Sequence, residues 1–157
     1  MMRHAGFTLI ELVVTVMIVA ILAAGAMPVM QLTIKRNQEM ELRTHLRQIR
    51  TAIDAYKKAF DEGKIKKTLE DSGYPPTLET LELGVQDQTA PKKKILRFIR
   101  RIPRDPMSSD KEASAIESWG KRSYLSEASS PSEGADVYDV YSLSPQKALD
   151  GTFYSTW

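Results

Sequence analysis

Glu11 is the residue whose placement most demands chemistry. It stands at the head of an apolar run: from Leu12 to Ile34, 23 residues carry no charge. A carboxylate in hydrocarbon costs roughly 2.5–3.5 kcal/mol on insertion scales, and such a group usually marks a function. Two arrangements relieve that cost. The carboxylate can lie at the interface, or it can pair with a cation at the same depth. No Lys or Arg occurs between Leu12 and Ile34. An amine created by cutting the chain just before Phe7 would serve.

Elsewhere, residues suited to catalysis are sparse. There is no Cys, so disulfides, thiol chemistry and Cys-bound zinc are excluded. Of the two histidines, His4 precedes the apolar run and His45 stands beside an apolar helical stripe, where a lone histidine is usually just solvated. Asp136 and Asp139 suggest a carboxylate pair, but strand alternation points them to opposite faces. No Ser/His/Asp set, Gly-rich phosphate loop or metal-ligand cluster appears, and the chain reads as a non-enzyme.

The elements that must position Glu11 begin with the apolar run itself. Its 23 residues suffice to cross a hydrocarbon core of about 30 Å as a helix. A cleaved secretory signal is the alternative, with Gly25 and Ala26 mimicking its cleavage site. Gly25 and Pro28 interrupt the run without ending it, and proline loosens or kinks a helix. Arg3 precedes the span, and Lys35, Arg36, Arg43 and Arg47 follow it. Counting positive charges alone would place the C-terminal part in the cytoplasm.

Beyond Thr33 the pattern turns periodic. Leu42, Leu46, Ile49, Ile53, Tyr56 and Phe60 fall on one stripe of an amphipathic helix, which Glu62-Gly63-Lys64 ends. If Phe7 to Asp61 forms nearly one helix, it is about 80 Å long at about 1.5 Å per residue. The stripe predicts packing on a small sheet. In the remainder, Asp71–Val85 reads as a loop and then a short helix capped by Thr77 and carrying Leu78, Leu81 and Leu83.

Lys92–Arg104 holds seven basic residues and no acid. Ile95, Phe98, Ile99 and Ile102 have helical spacing, so the segment is expected to be a basic amphipathic helix. Three roles stay open for it: covering the sheet, docking on an acidic surface of a neighbouring subunit, or binding lipid headgroups or nucleic acid. The absence of interleaved Tyr or Trp weakens the nucleic-acid role. Met107–Ser118 reads as an exposed loop. Lys121–Ser126 and Asp136–Leu143 read as strands, joined by a loop over Ser126–Ala135. Phe153, Tyr154 and Trp157 are expected to anchor the tail to the sheet.

Charge is uneven along the chain. Residues 35–104 hold 17 Lys/Arg against 10 Asp/Glu, whereas residues 105–157 hold 4 against 9. One surface can thus attract another in a second copy, or both can simply be solvated. The near-neutral total argues against a general nucleic-acid binder.

"GFTLIEL", after a short polar leader, resembles the N-terminal signal of type IV pilins and of type II secretion pseudopilins. "YPPTLETL", "IPRDP", "WGKRSYLS" and "DVYDVYSLS" are similar to segments of the G-type, or major, pseudopilin, with Met107–Ser118 inserted between the DP and WG elements. The resemblance implies an α+β, ladle-shaped pilin-like fold: a long N-terminal helix, half transmembrane and half amphipathic, packed on a small antiparallel sheet. It implies a leader over residues 1–6, a membrane and assembly helix over 7–34, and a periplasmic domain over 35–157. It overrules the charge count on orientation.

The same resemblance implies cleavage between Gly6 and Phe7 by a prepilin peptidase and N-methylation of Phe7. It implies an assembly salt bridge from Glu11 to a neighbour's terminal amine, with the helix melting near Gly25 and Pro28 in the filament. The implied partners are other copies of the chain, minor pseudopilins, the inner-membrane platform, the secretion ATPase machinery and membrane lipid. The implied role is a periplasmic pseudopilus that helps export folded proteins through an outer-membrane secretin. Calcium, held near Asp150, Leu143 and Ser144, is a possible ligand; a plain turn at Asp150-Gly151 is the other reading. A type IV pilin of a surface fibre is the alternative, although such pilins typically close a C-terminal disulfide. A membrane-anchored binding module with an uncleaved N-terminus is the third reading.

Overall fold

The computed structural model describes residues 8–67 and 71–157, with the backbone alone for residues 25–28. Two compact units divide the chain, Met1–Asn37 and Gln38–Trp157. In the first, the described residues from Leu9 onward are the opening part of helix α1 (Leu9–Asp61). The helical backbone continues through Gly25 and Pro28. Leu9 to Leu22 leave their large apolar side chains exposed along the whole segment.

In the second unit, the expected stripe becomes the core. Leu42, Leu46, Ile49, Ile53 and Tyr56 are buried, and Ala52 and Ala59 join them. Those alanines let the packing partners approach the helix closely. The helix stops where the sequence indicates. Gly63 adopts φ +76°, its N–H donates to the Phe60 carbonyl at 3.0 Å, and the Lys64 N–H donates to the Ala59 carbonyl at 2.9 Å. This is the paired closure that a left-handed glycine after a helix end makes possible.

Helix α2 (Leu78–Leu83) buries Leu78 and Leu81 and exposes Leu83. Thr77 occupies its N-cap position but makes no side-chain cap; its hydroxyl meets that of Thr80 at 3.2 Å. The expected single sheet is two separate antiparallel ladders. Strand β1 (Val85–Gln86) pairs with β2 (Ile95–Leu96), and β3 (Trp119–Arg122) pairs with β4 (Asp139–Ser142). Val140 and Ser142 face inward, and Asp139 and Tyr141 are half-exposed. Both later strands are shorter than the alternation suggests, because Ser123 onward turns toward the Ser126–Ala135 loop.

The basic segment is not a helix. Ile95 and Leu96 take their partners from β1, and the N–H groups of Phe98 and Ile99 both donate to the Leu81 carbonyl, at 3.0 and 3.2 Å. A carbonyl left open at the end of short α2 therefore competes for the donors that a second helix would have used. Ile95 is turned outward, while Phe98, Ile99 and Ile102 pack on the core. Covering the core is the role the fold supports for this stretch.

The insertion is exposed only in its middle. Met107 and Ser118 are buried at its ends. Asp105 is buried between them. Its carboxylate accepts from the Met107 N–H at 2.7 Å and the Ser142 hydroxyl at 2.6 Å, and its own N–H donates to Ser118 Oγ at 3.0 Å. Trp119 Nε1 donates to the Pro103 carbonyl at 2.8 Å. The DP and WG elements, thirteen residues apart between Pro106 and Trp119, are thus rejoined in space. Gly120 is required there, since the Tyr141 ring fills the space a Cβ would take. Replacing Asp105 by Ala strands a buried hydroxyl and a buried N–H. The variant is expected to lose about 2–4 kcal/mol, read from denaturant melts of the detergent-solubilised chain.

Candidate functional site

The first turn of α1 holds the charged group that the membrane argument singles out. Glu11 is exposed, and its Oε2 accepts from the Thr8 N–H at 3.4 Å and the Thr8 hydroxyl at 3.3 Å. The Glu11 N–H donates back to Thr8 Oγ at 3.3 Å. This reciprocal pattern is a capping box, in which a hydroxyl and a carboxylate three residues apart satisfy helix-end donors. The box seats the carboxylate at the very start of the helix. The Thr8–Glu11 spacing of three residues is the signal in the sequence for this box.

Gly6 and Phe7 lie outside the described residues. Gly25 and Pro28 lie within α1, their side chains outside the description. The helix beginning at Leu9 contains an 18-residue window of mean hydropathy 2.6, none of it buried. It is long and apolar enough to cross a membrane.

The expected calcium ligands lie in a C-terminal stretch ordered by other means. Asp150 Oδ1 accepts from the Thr152 N–H at 2.9 Å and the Thr152 hydroxyl at 2.6 Å, and Gly151 supplies φ +87°. Arg43 approaches Asp150 Oδ2 at 3.7 Å. The Thr152 bonds, with Arg43 adding to them, hold the Asp150 carboxyl below the usual carboxylate range. Ser144 Oγ accepts from the Gln146 N–H at 3.4 Å, while Leu143 has its side chain outward. Among the described residues, no group of three or more His, Cys, Asp or Glu could hold a metal ion. A hard cation wants about six to eight oxygens. Asp150 is the one carboxylate of the three expected ligands, so a calcium ion there would take most of its oxygens from carbonyls and hydroxyls.

Several polar residues hold the fold in ways the sequence did not announce. His45 is not solvated: its Nδ1 meets the Arg104 carbonyl at 2.9 Å and its Nε2 lies 3.8 Å from Glu41. Arg50 reaches from α1 to Asp139 at 2.7 Å, to the Val140 carbonyl at 3.1 Å and to the Trp157 carbonyl at 2.7 Å. Arg104 grips the carbonyls of Asp110 and Ala113 within the insertion. Glu39 Oε1 receives the Tyr154 hydroxyl at 2.9 Å and the Leu149 N–H at 2.8 Å. Burial of Tyr154, reinforced by Glu39, raises its phenol above the ordinary range. Tyr154 is the tail anchor, with Trp157 edge-on at 5.1 Å; Phe153 is largely outside.

Asp136 and Asp139 serve different structures. Asp139 pairs with Arg50 and with Arg122 across the ladder, whereas Asp136 accepts from the Ser123 hydroxyl and the Tyr124 N–H, both at 2.8 Å. Burial pushes the Asp136 carboxyl up, but bonds from Ser72, Tyr124 and Ser123 outweigh it and leave the group below its ordinary value of 3.8.

A capped apolar helix that continues into a buried amphipathic stripe, with a small α+β head, defines a pilin-like subunit. Residues 1–27 match the family model described as the prokaryotic N-terminal methylation motif. The chain is 31% identical over 113 residues to the type II secretion system core protein G of Vibrio cholerae serotype O1, covering 70% of each chain. It is 30% identical over 114 residues to the protein of that name from Klebsiella pneumoniae, covering 70% of this chain and 74% of that one. A third relative of the same name, from Aeromonas hydrophila, is 27% identical over 76% of this chain and 78% of its own. No solved structure matches. The chain belongs to the G-type pseudopilin family and is a pseudopilin subunit of type II secretion.

Two measurements probe the head. Thermal melts of the full chain in detergent with calcium and with a chelator should superimpose; a calcium-dependent rise in Tm would restore a metal site. Because Asp136 titrates lower when folded than the ordinary 3.8, its stabilisation is complete above that value and fades as pH falls through the folded-state pKa. The Tm difference between wild type and Asp136→Asn should therefore hold steady down to about pH 4 and shrink below it.

Proposed function

We propose that this subunit is cut between Gly6 and Phe7, methylated on Phe7, and polymerised through a bond from Glu11 to the new terminal amine of a neighbour. The observation that carries this is the exposed apolar face of α1, with one carboxylate seated by Thr8 at its start. Such a face needs lipid while the subunit waits and other subunits once it assembles. A carboxylate without a partner opposes burial among neighbours, and an amine supplied by the neighbour removes that penalty.

On this reading the subunit sits in the inner membrane, with residues 35–157 in the periplasm. Prepilin peptidase matures it. The assembly platform and secretion ATPase machinery then draw it into a periplasmic pseudopilus with minor pseudopilins, which helps move folded proteins through the secretin. Its role is structural, and the chemistry of assembly is ion pairing and apolar burial. Gly25 and Pro28 are where α1 gives way in the filament, since both lower the cost of opening helical hydrogen bonds.

The test has two arms. Mass spectrometry of the native protein should find a chain beginning at N-methylated Phe7; an intact leader would refute the maturation step. Glu11→Lys should still be processed yet form no filaments in a shearing assay, because two cations then meet at the assembly contact. Normal filaments from that variant would remove the ion pair from the account.

A further inference from the structure

Two segments of the head carry charge that the head itself does not neutralise. Phe98, Ile99 and Ile102 pack on the core, but Lys92, Lys93, Lys94 and Arg97 are exposed. Among the described residues none of these four makes an ion pair. Cations so close in sequence repel one another, and an acidic surface brought near them lowers that cost. Leu83 and Ile95 stand beside them, 71% and 54% exposed, so apolar area is available for burial as well. The insertion has the opposite sign. Asp110, Glu112 and Glu117 are exposed there against Lys111 alone. Asp110 accepts from the Glu112 N–H and Glu117 from the Ser114 N–H, both at 2.9 Å. Glu112 makes no ion pair among the described residues.

Both segments belong to the Gln38–Trp157 unit, and α1 measures the distance between them. The insertion hangs from Arg104, whose side chain holds the Asp110 and Ala113 carbonyls and whose own carbonyl meets His45 at 2.9 Å. The basic stretch starts beyond the other end of the helix. The Asp87 N–H donates to the Lys94 carbonyl and the Gln88 N–H to the Lys64 carbonyl, both at 2.8 Å. From His45 to Asp61, where α1 ends, the helix runs about 24 Å at about 1.5 Å per residue. Surface charges that far apart are screened from each other, since the Debye length at physiological salt is about 8 Å. The insertion therefore cannot neutralise the basic stretch of its own chain, but it can neutralise that of another.

We propose that Lys92–Arg97 of one subunit docks on the acidic insertion of the next copy, end to end along the heads. The contact joins two different patches, so it excludes a two-fold dimer and extends as an open filament when successive copies do not close a ring. Charge complementarity then fixes register in the heads. This rests on the filament-forming reading above.

The chain has no Cys, so introduced cysteines report the contact directly. Lys93→Cys and Glu112→Cys are placed singly and together in the full chain, and sheared filaments are treated with a short bismaleimide. The chain carrying both should give a ladder of dimers, trimers and longer products. Filaments mixed from the two single variants should give dimers, and each single variant alone should stay monomeric. Lys92→Glu, Lys93→Glu and Lys94→Glu together should lower filament yield several-fold, and adding Glu112→Lys should recover part of the loss. If filaments form and neither the ladder nor the mixed dimers appear, the contact is overturned and the filament-forming reading stands. If Lys93→Cys cross-links to itself, the contact is two-fold and the proposal fails. If Lys93→Cys carrying a photoreactive maleimide captures phospholipid rather than protein, the stretch serves the bilayer and the proposal also fails. If the unaltered chain makes no filaments, the filament-forming reading fails and takes the contact with it.

Discussion

A carboxylate that opens an uncharged run of 23 residues must find a partner or stay at the interface. That constraint organises the N-terminal unit. The lone subunit meets it locally, through the Thr8 capping box. An intersubunit amine would meet it more strongly, because a charge-assisted bond in a low dielectric outweighs one to a hydroxyl. The two solutions use the same carboxylate, so its local bond costs assembly little to replace. In the proposed assembly the exposed apolar face of α1 would supply the burial, and the carboxylate would supply register.

The head obeys a different constraint. Its strands are two and four residues long, and ladders so short do not stand alone. Its order comes from α1. The buried stripe provides the apolar surface, and Glu39, His45 and Arg50 tie the tail, the Pro103–Arg104 corner and β4 to it. Asp105 performs the same service for the insertion, which hangs from a buried network rather than lengthening a strand. No buried side-chain polar atom among the described residues lacks a partner. Polar ties carry much of the definition in a domain this small.

These differences explain what the sequence disclosed. The amphipathic stripe, the Gly63 stop, the short Leu78–Leu83 helix and the rough place of β3 and β4 were legible, because each is written as a local period or breaker. Lys92–Arg104 misled because its helical spacing is real, yet its N–H groups were claimed by β1 and by the Leu81 carbonyl. Thr77 looked like a cap but turned its hydroxyl to Thr80. His45, Arg50, Glu39 and Asp105 were invisible as ties, since their partners lie far along the chain. The Glu11 signal was legible because burial of a charge is costly wherever the chain folds. Its neighbour Thr8 was legible only once the helix start was known.

The central claim is that Glu11 bonds to a terminal amine from another subunit. Filaments co-assembled from two pools, one carrying ¹⁵N at the Phe7 amine and the other ¹³C at the Glu11 carboxyl, test it by solid-state NMR dipolar recoupling. The account predicts an intermolecular contact at ion-pair range, within about 4 Å. No contact between the two labels in these mixed filaments would contradict it.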